Sequence, residues 1–275
     1  MLLGYNTSGL QNHRLDEALR LLADSGFAAV ALTPDVGHLD PFRCSAREIE
    51  ELAGLLSRLQ LQPVIETGAR FLLDPAHKHE PTLMTADAAG RERRLDFYRR
   101  TAAIGRDLGA QVLSFWAGID HQPGPDSASR LDSGVAAAVA AVRESGLTPA
   151  LEPEPGMAVE TVQQFTELVA RLGSEAPALT LDIGHLYVVW EGSPADVIAR
   201  CGSQIAQGHL EDMRRGEHVH LVPGQGEVDF DAVLGALAGT GYAGPVCFEL
   251  SRSSHEAPRA VAACVDVWRR WRSGR

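Results

Sequence analysis

The chain has 275 residues, 45% of them hydrophobic, and a formal net charge of −11. That length can bury one large core, and a single α/β barrel domain over residues 1–275 fits it. The acid excess leaves no basic stripe for phosphate contacts, which excludes nucleic acid as the main partner, and no apolar run reaches the roughly 20 residues of a membrane span.

Strand-like and helix-like segments alternate in chain order. LLGYNT is followed by RLDEALRLLADSG, AAVALTP by SAREIEELAGLLSRLQ, and QPVIETGAR by AGRERRLDFYRRTAAIGRDLG. QVLSFWAG then precedes DSGVAAAVAAVRESG, TPALEPEP precedes VETVQQFTELVARLG, and LTLDIGH precedes SPADVIARCGS. IAQGHLED with FDAVLGALAGTG, and PVCFELS with APRAVAACVDVWRRW, close the series. Eight strand–helix pairs with Val-, Ile-, Leu- and Ala-rich strands predict right-handed βαβ units closing into a (β/α)8 TIM barrel. A doubly wound open sheet fits less well, because no GxGxxG follows the first strand. Ser45 and Glu48 have the spacing of a helix-capping box. The long strand–helix connections 71–88, 119–131 and 213–229 fall on the face where a barrel builds its active site.

The opening MLLGYNTSGL lacks a basic n-region and a long apolar run, so no signal peptide is expected. Cys44, Cys201, Cys247 and Cys264 form no CxxC pair and are expected to be buried, reduced thiols of a cytoplasmic protein. Lys78 is the only lysine, so a Schiff-base mechanism would have to use it.

Four late strands each end on a metal-type ligand: Glu152, Asp182, His209 and Glu249. On successive strands of one barrel they converge. Three carboxylates with one imidazole suit a single divalent cation such as Mn2+, Mg2+, Co2+ or Zn2+. Alternation puts Glu152 and Glu154 on one side; Pro153 and Pro155 favour Glu152 as the ligand. Glu249 stands between apolar neighbours, where a carboxylate is costly unless paired or metal-bound. The ten histidines all fall at strand ends or in strand–helix loops, which points to a polar, metal-capable rim. His185 can serve metal or a substrate hydroxyl. Glu66, Arg70, His77, Lys78 and His79 are candidates for lining the pocket or for a solvated lid. Trp116, Tyr5 and Asn6 are candidates for a wall against a sugar ring. Arg214, Arg215, His218 and His220 lie on the loop after the seventh strand, and its arginines suit a substrate anion or plain solvation.

These motifs together, LEPEPG, LDIGH, GHLED followed by a PGxGxxDF loop, and a final FEL, resemble the xylose-isomerase-like TIM barrel superfamily over nearly the whole chain. The resemblance implies Glu152, Asp182, His209 and Glu249 around one divalent metal, with Glu152 and Glu249 as the acid/base pair of a sugar isomerase or epimerase. It implies substrate contacts from His185 and from Arg215, with Arg214 as the alternative. His220 stands where endonuclease IV carries a further histidine ligand, and it is expected beside the substrate with Glu66 and Trp116. The expected partners are a small carbohydrate-like molecule and a second copy of the chain in a homodimer. An inosose-dehydratase-like lyase and an endonuclease-IV-like phosphodiesterase are the rival enzymes; a metal-free binding barrel is the non-enzymatic one.

Overall fold

The computed structural model describes residues 1–274. The strands β1 (Leu2–Asn6), β2 (Ala29–Leu32), β3 (Gln62–Glu66), β4 (Val112–Phe115), β5 (Thr148–Leu151), β6 (Ala178–Asp182) and β7 (Ile205–Leu210) run in chain order. Two short strands, β8 (Asp212–Arg214) and β9 (Glu217–Leu221), precede the last barrel strand, β10 (Pro245–Phe248). The barrel closes in the order β1-β10-β7-β6-β5-β4-β3-β2. Every barrel pairing is parallel, as the alternating strand–helix pattern predicts.

The helices between them are α1 (Leu15–Asp24), α2 (Ala46–Leu59), α3 (Ala88–Leu108), α4 (Ser127–Arg143), α5 (Val162–Leu172), α6 (His185–Val189), α7 (Pro194–Cys201), α8 (Phe230–Gly239) and α9 (Ala257–Ser273). The capping box of α2 forms, with Ser45 and Glu48 satisfying each other's backbone N–H. A second box, Thr161 with Gln164, starts α5. Helix α4 begins at Ser127, five residues earlier than the apolar pattern suggests. Its first turn is polar and held from outside: Asp120 accepts from Ser127 Oγ at 2.6 Å and from Arg130 at 2.8 Å.

Strand alternation decides what fills the barrel. A small apolar cluster of Ala31, Val64, Val112, Ala150 and Cys247 plugs the interior. Two positions further along the same strands the inward residues are polar: Thr33, Glu66, Ser114, Glu152 and Glu249. The barrel therefore changes from hydrocarbon to carboxylate within one side-chain layer, at its C-terminal end. Of the cysteines, Cys201, Cys247 and Cys264 are buried and Cys44 is half-buried, all as free thiols.

The connection 213–229 is not a plain loop. β8 and β9 form an antiparallel hairpin beside the barrel mouth. Buried Asp212 anchors the segment after the hairpin, accepting from the backbone N–H of Gly224 (2.7 Å), Gly226 (2.9 Å) and Val228 (3.0 Å). Glycine is required at 226, where a Cβ would lie 2.4 Å from Asp212 Oδ1 and 2.6 Å from the Met213 carbonyl.

Candidate metal centre and its pocket

Glu152, Asp182, His209 and Glu249 meet at the C-terminal end of the barrel. One ligand atom from each lies within 4.8 Å of all the others. The His209 ring is the hub. Its Nδ1 is 2.9 Å from Glu152 Oε1, 3.3 Å from Glu249 Oε2 and 3.9 Å from Asp182 Oδ2. Its Nε2 lies 3.5 Å from Glu66 Oε2 and 2.7 Å from the Gln207 amide nitrogen. Glu152 and Glu249 stand one residue beyond their strands and remain tied to the barrel, their N–H groups donating to Phe115 O (2.8 Å) and Leu210 O (3.0 Å).

The electrostatics call for a cation. Glu66, Glu152, Glu154, Asp182, Glu211 and Glu249 crowd around one imidazole, and all but Glu154 and Glu249 are buried residues. Burial, then repulsion from Asp182 and Glu249, holds the Glu152 carboxyl well above its ordinary range. Glu66 is raised by burial and by Glu152. Burial alone would raise Asp182 as well, but His185, a hydrogen bond with Glu211 and then His209 outweigh it and keep its carboxyl below the usual value. Burial would lower His209, yet Glu249, Glu66 and Asp182 turn the shift upward. Glu211 is pushed well up by burial and by Asp182.

The residues fit a divalent ion on the chemistry of the donor set. Asp182 Oδ2 and Glu66 Oε2 are buried without a hydrogen-bond partner, the condition an ion would relieve. Three carboxylate oxygens and one imidazole nitrogen suit Mn2+, Mg2+, Co2+ or Zn2+. Nδ1 is the His209 atom that faces the carboxylates, so a metal there requires the ring proton on Nε2. Gln207 Oε1 is buried and unpartnered; turning that amide over supplies the acceptor that fixes this tautomer.

The centre forms the floor of a cavity of about 550 Å³. Glu66, Trp116, His185 and His220 all line it. His185 Nδ1 bonds to Pro153 O at 2.9 Å, and its Nε2, 3.6 Å from Glu154 Oε2, has no hydrogen-bond partner. The rings of His185, His218 and His220 pack edge to face or tilted at 4.9 to 6.3 Å. Their ligand atoms also lie within 4.8 Å of one another. Trp116 is clamped between the His79 ring (5.3 Å) and the buried Arg94 guanidinium (4.8 Å). Glu154, beside the ligand set, is pushed up to about 8 by burial.

Other candidates go elsewhere. Arg215 is exposed and stacks on Trp190, 3.6 Å from the ring centroid, and does not line the cavity. Arg214 pairs with Glu217 at 3.7 Å. Both arginines sit on the β8–β9 hairpin, whose pairing turns them outward. Tyr5 is not a wall of the pocket; it is buried against Phe27, edge to face at 5.7 Å. Asn6 caps the turn after β1, its Oδ1 accepting from Ser8 N–H at 3.0 Å. His77 is exposed and pairs with Asp74, while Lys78 and His79 line the cavity. Arg252, Ser251, Phe71 and Ile119 also line it. Sequence reasoning named none of these four, although Phe71 and Ile119 open the connections 71–88 and 119–131 that it places on this face; Ser251 and Arg252 lie in the turn after β10.

A barrel with an acidic, metal-competent mouth defines a class, and the sequence matches it: residues 19–271 fit the profile of the xylose isomerase-like TIM barrel family, to which this chain belongs. Among its curated relatives is the L-ribulose-5-phosphate 3-epimerase UlaE of Salmonella paratyphi A, 25% identical over 257 residues, covering 92% of this chain and 87% of that protein. The same fold recurs in the D-allulose 3-epimerase of Methylomonas sp., with a TM-score of 0.79, 16% identity and 98% of each chain covered. It recurs in the IOLI protein with a bound zinc atom, at a TM-score of 0.77 and 19% identity over 98% of this chain and 99% of that one.

Proposed function

We propose that this chain is a divalent-metal-dependent 3-epimerase, or a closely related isomerase, of a ketose or ketose-like substrate. It is an enzyme of the isomerase/epimerase type. The observation that carries the reading is the pair Glu152 and Glu249, both against His209 Nδ1, at 2.9 and 3.3 Å, and within reach of one point on the cavity floor. Glu152, Asp182, His209 and Glu249 hold the ion, which when bound polarises the substrate carbonyl and neutralises the charge that develops on it.

The residues of the chain do the rest. One glutamate takes the proton from the carbon beside the carbonyl and the other returns one to the opposite face, so the stereocentre inverts through an enediolate. Asp182, whose Oδ1 accepts from His185 N–H at 2.9 Å, is tied down and suited to holding the ion rather than moving protons. His185 and His220 offer ring nitrogens without partners to the substrate hydroxyls. Trp116, fixed by Arg94 and His79, forms a rigid wall. The relatives include a 3-epimerase of a ketose phosphate and a 3-epimerase of a free ketose, which is the support for position 3.

The test is solvent exchange. Metal-loaded protein incubated with ketoses and ketose phosphates in D2O should place deuterium on the carbon next to the carbonyl and yield the epimer. No incorporation across such a panel, with bound metal verified in the same sample, would defeat the proposal.

A further inference from the structure

Three cations share the cavity with the acidic centre: Arg70 and Lys78 from the β3–α3 connection and Arg252 from the turn after β10. β1 and β2 lie between β3 and β10 in the barrel order, so these cations come from two separate loops to one cavity. Among the described residues, none of the three has a carboxylate within salt-bridge distance. Arg70 donates to the neutral acceptors Gln11 Oε1 and Ser8 O, and Arg252 donates to His218 O at 3.2 Å.

The chain carries 36 acidic residues against 25 basic ones, and some of its arginines do take carboxylate partners, as Arg130 does with Asp120 and Arg171 with Asp132, both at 2.8 Å. Burial lowers the Lys78 ammonium, and Arg70 and Arg252 lower it further, so the three cations repel one another across the cavity. Glu154 offsets part of this on Lys78, yet none of the three cations is engaged by a carboxylate, and an anion entering between them would relieve their repulsion. Arginine forks and a lysine point charge together match the several oxygens of a phosphate monoester, which carries about −1.5 to −2 at neutral pH.

We propose that Arg70, Lys78 and Arg252 form the seat for a phosphate ester at the end of the substrate remote from the reacting carbon, so that the enzyme selects phosphorylated over free ketoses. This rests on the epimerase reading for the substrate to which the phosphate is attached, but the seat itself can be measured without turnover.

The experiment has two arms. In the first, metal-loaded protein is titrated with glycerol 3-phosphate, with glycerol as the neutral control, by calorimetry. Saturable binding of the phosphate alone is expected, weakened about tenfold or more in each of Arg70→Gln, Lys78→Gln and Arg252→Gln. Three separate variants guard against misfolding of any one, and each is checked for an unchanged metal content. In the second arm, kcat/KM is compared for a ketopentose and its 5-phosphate. The phosphate is expected to be favoured at least about a hundredfold, with that ratio falling towards one as the cations are removed.

Phosphate binding that depends on the three cations, with no ketose turned over, would uphold the seat and remove the epimerase reading. Equal turnover of both ketoses, or binding indifferent to all three substitutions, would overturn the seat and leave the epimerase reading standing.

Discussion

Removing the hub of the centre gives the sharpest test of its electrostatics. In metal-free protein, His209→Ala deletes a fully buried imidazole whose ring approaches Glu152, Glu249, Glu66 and Asp182 at 2.9 to 3.9 Å. Breaking a buried charge pair by deleting one partner costs roughly 3–5 kcal/mol, because the remaining charge stays uncompensated. Glu152 and Glu66 already favour their neutral forms through burial, so the lower end applies, about 3 kcal/mol. The entropy of unfolding is about 2.1 cal/mol/K per residue, or about 0.6 kcal/mol/K for 275 residues, so Tm should fall by roughly 5 °C. The pH dependence has a definite sign. The carboxylates raise the folded pKa of His209 above its ordinary 6.5, so its stabilisation is complete below about pH 6.5 and fades as the pH rises through the raised value. Calorimetric scans of chelated wild type and variant from pH 6 to 9 should show a gap that narrows with rising pH. A gap below about 2 °C at pH 6, or one that widens towards pH 9, would refute the reasoning.

Glu249→Gln and Glu152→Gln should each cost on the order of 10²–10⁴ in kcat, the range of a positioned acid or base; a deuterium-exchange assay reads both, and an effect under tenfold for either removes it from the proton path. Metal analysis after reconstitution should give one tight equivalent per chain, lost in Asp182→Ala and kept in His220→Ala; a second equivalent lost in His220→Ala would make the histidine trio a ligand set instead. Metal affinity should strengthen with pH, because the upward shifts of Glu152 and His209 favour the protonated forms with which the ion competes. A slope near zero between pH 6 and 8 contradicts this. Gly184→Ala would put a Cβ 1.7 Å from Glu211 Oε1 and 2.6 Å from Met213 Cε, and should cost about 1–3 kcal/mol through overpacking, with weaker metal binding because the turn carrying Asp182 and His185 shifts.

The fold was readable because its signals are local. Each barrel strand is a short apolar run with a helix behind it, and the eight runs pair in the expected parallel order. The four candidate ligands were readable for a related reason: a carboxylate or imidazole closing an apolar strand has little structural purpose in a barrel, and Glu152, Asp182, His209 and Glu249 do converge. Arg215 shows where such reasoning stops. Its distance along the chain from His209 puts it near the mouth, but its direction depends on the β8–β9 pairing and on Trp190, whose exposed ring it covers. Neither is a short-range property. Arg252 was hidden for the opposite reason: three residues past Glu249 in an ordinary turn, it has no motif, and it matters only because the β3–α3 connection brings Arg70 and Lys78 to the same cavity.

That division reflects how a barrel builds a site. Strand ends are fixed by the backbone ladder, so groups that must hold an ion within a few tenths of an ångström are placed there, and Glu152 and Glu249 keep backbone bonds to the neighbouring strand even one residue beyond the sheet. Loops are free to carry the groups that meet a substrate's far end, and here they carry Arg70, Lys78 and Arg252. The acidic floor and the cationic loops oppose each other across one cavity, so the site is polarised before any ligand enters. A substrate with hydroxyls at one end and an anion at the other would bind in one direction only, since reversal would set its anion against Glu154 and Glu249 and its neutral end against Arg70, Lys78 and Arg252.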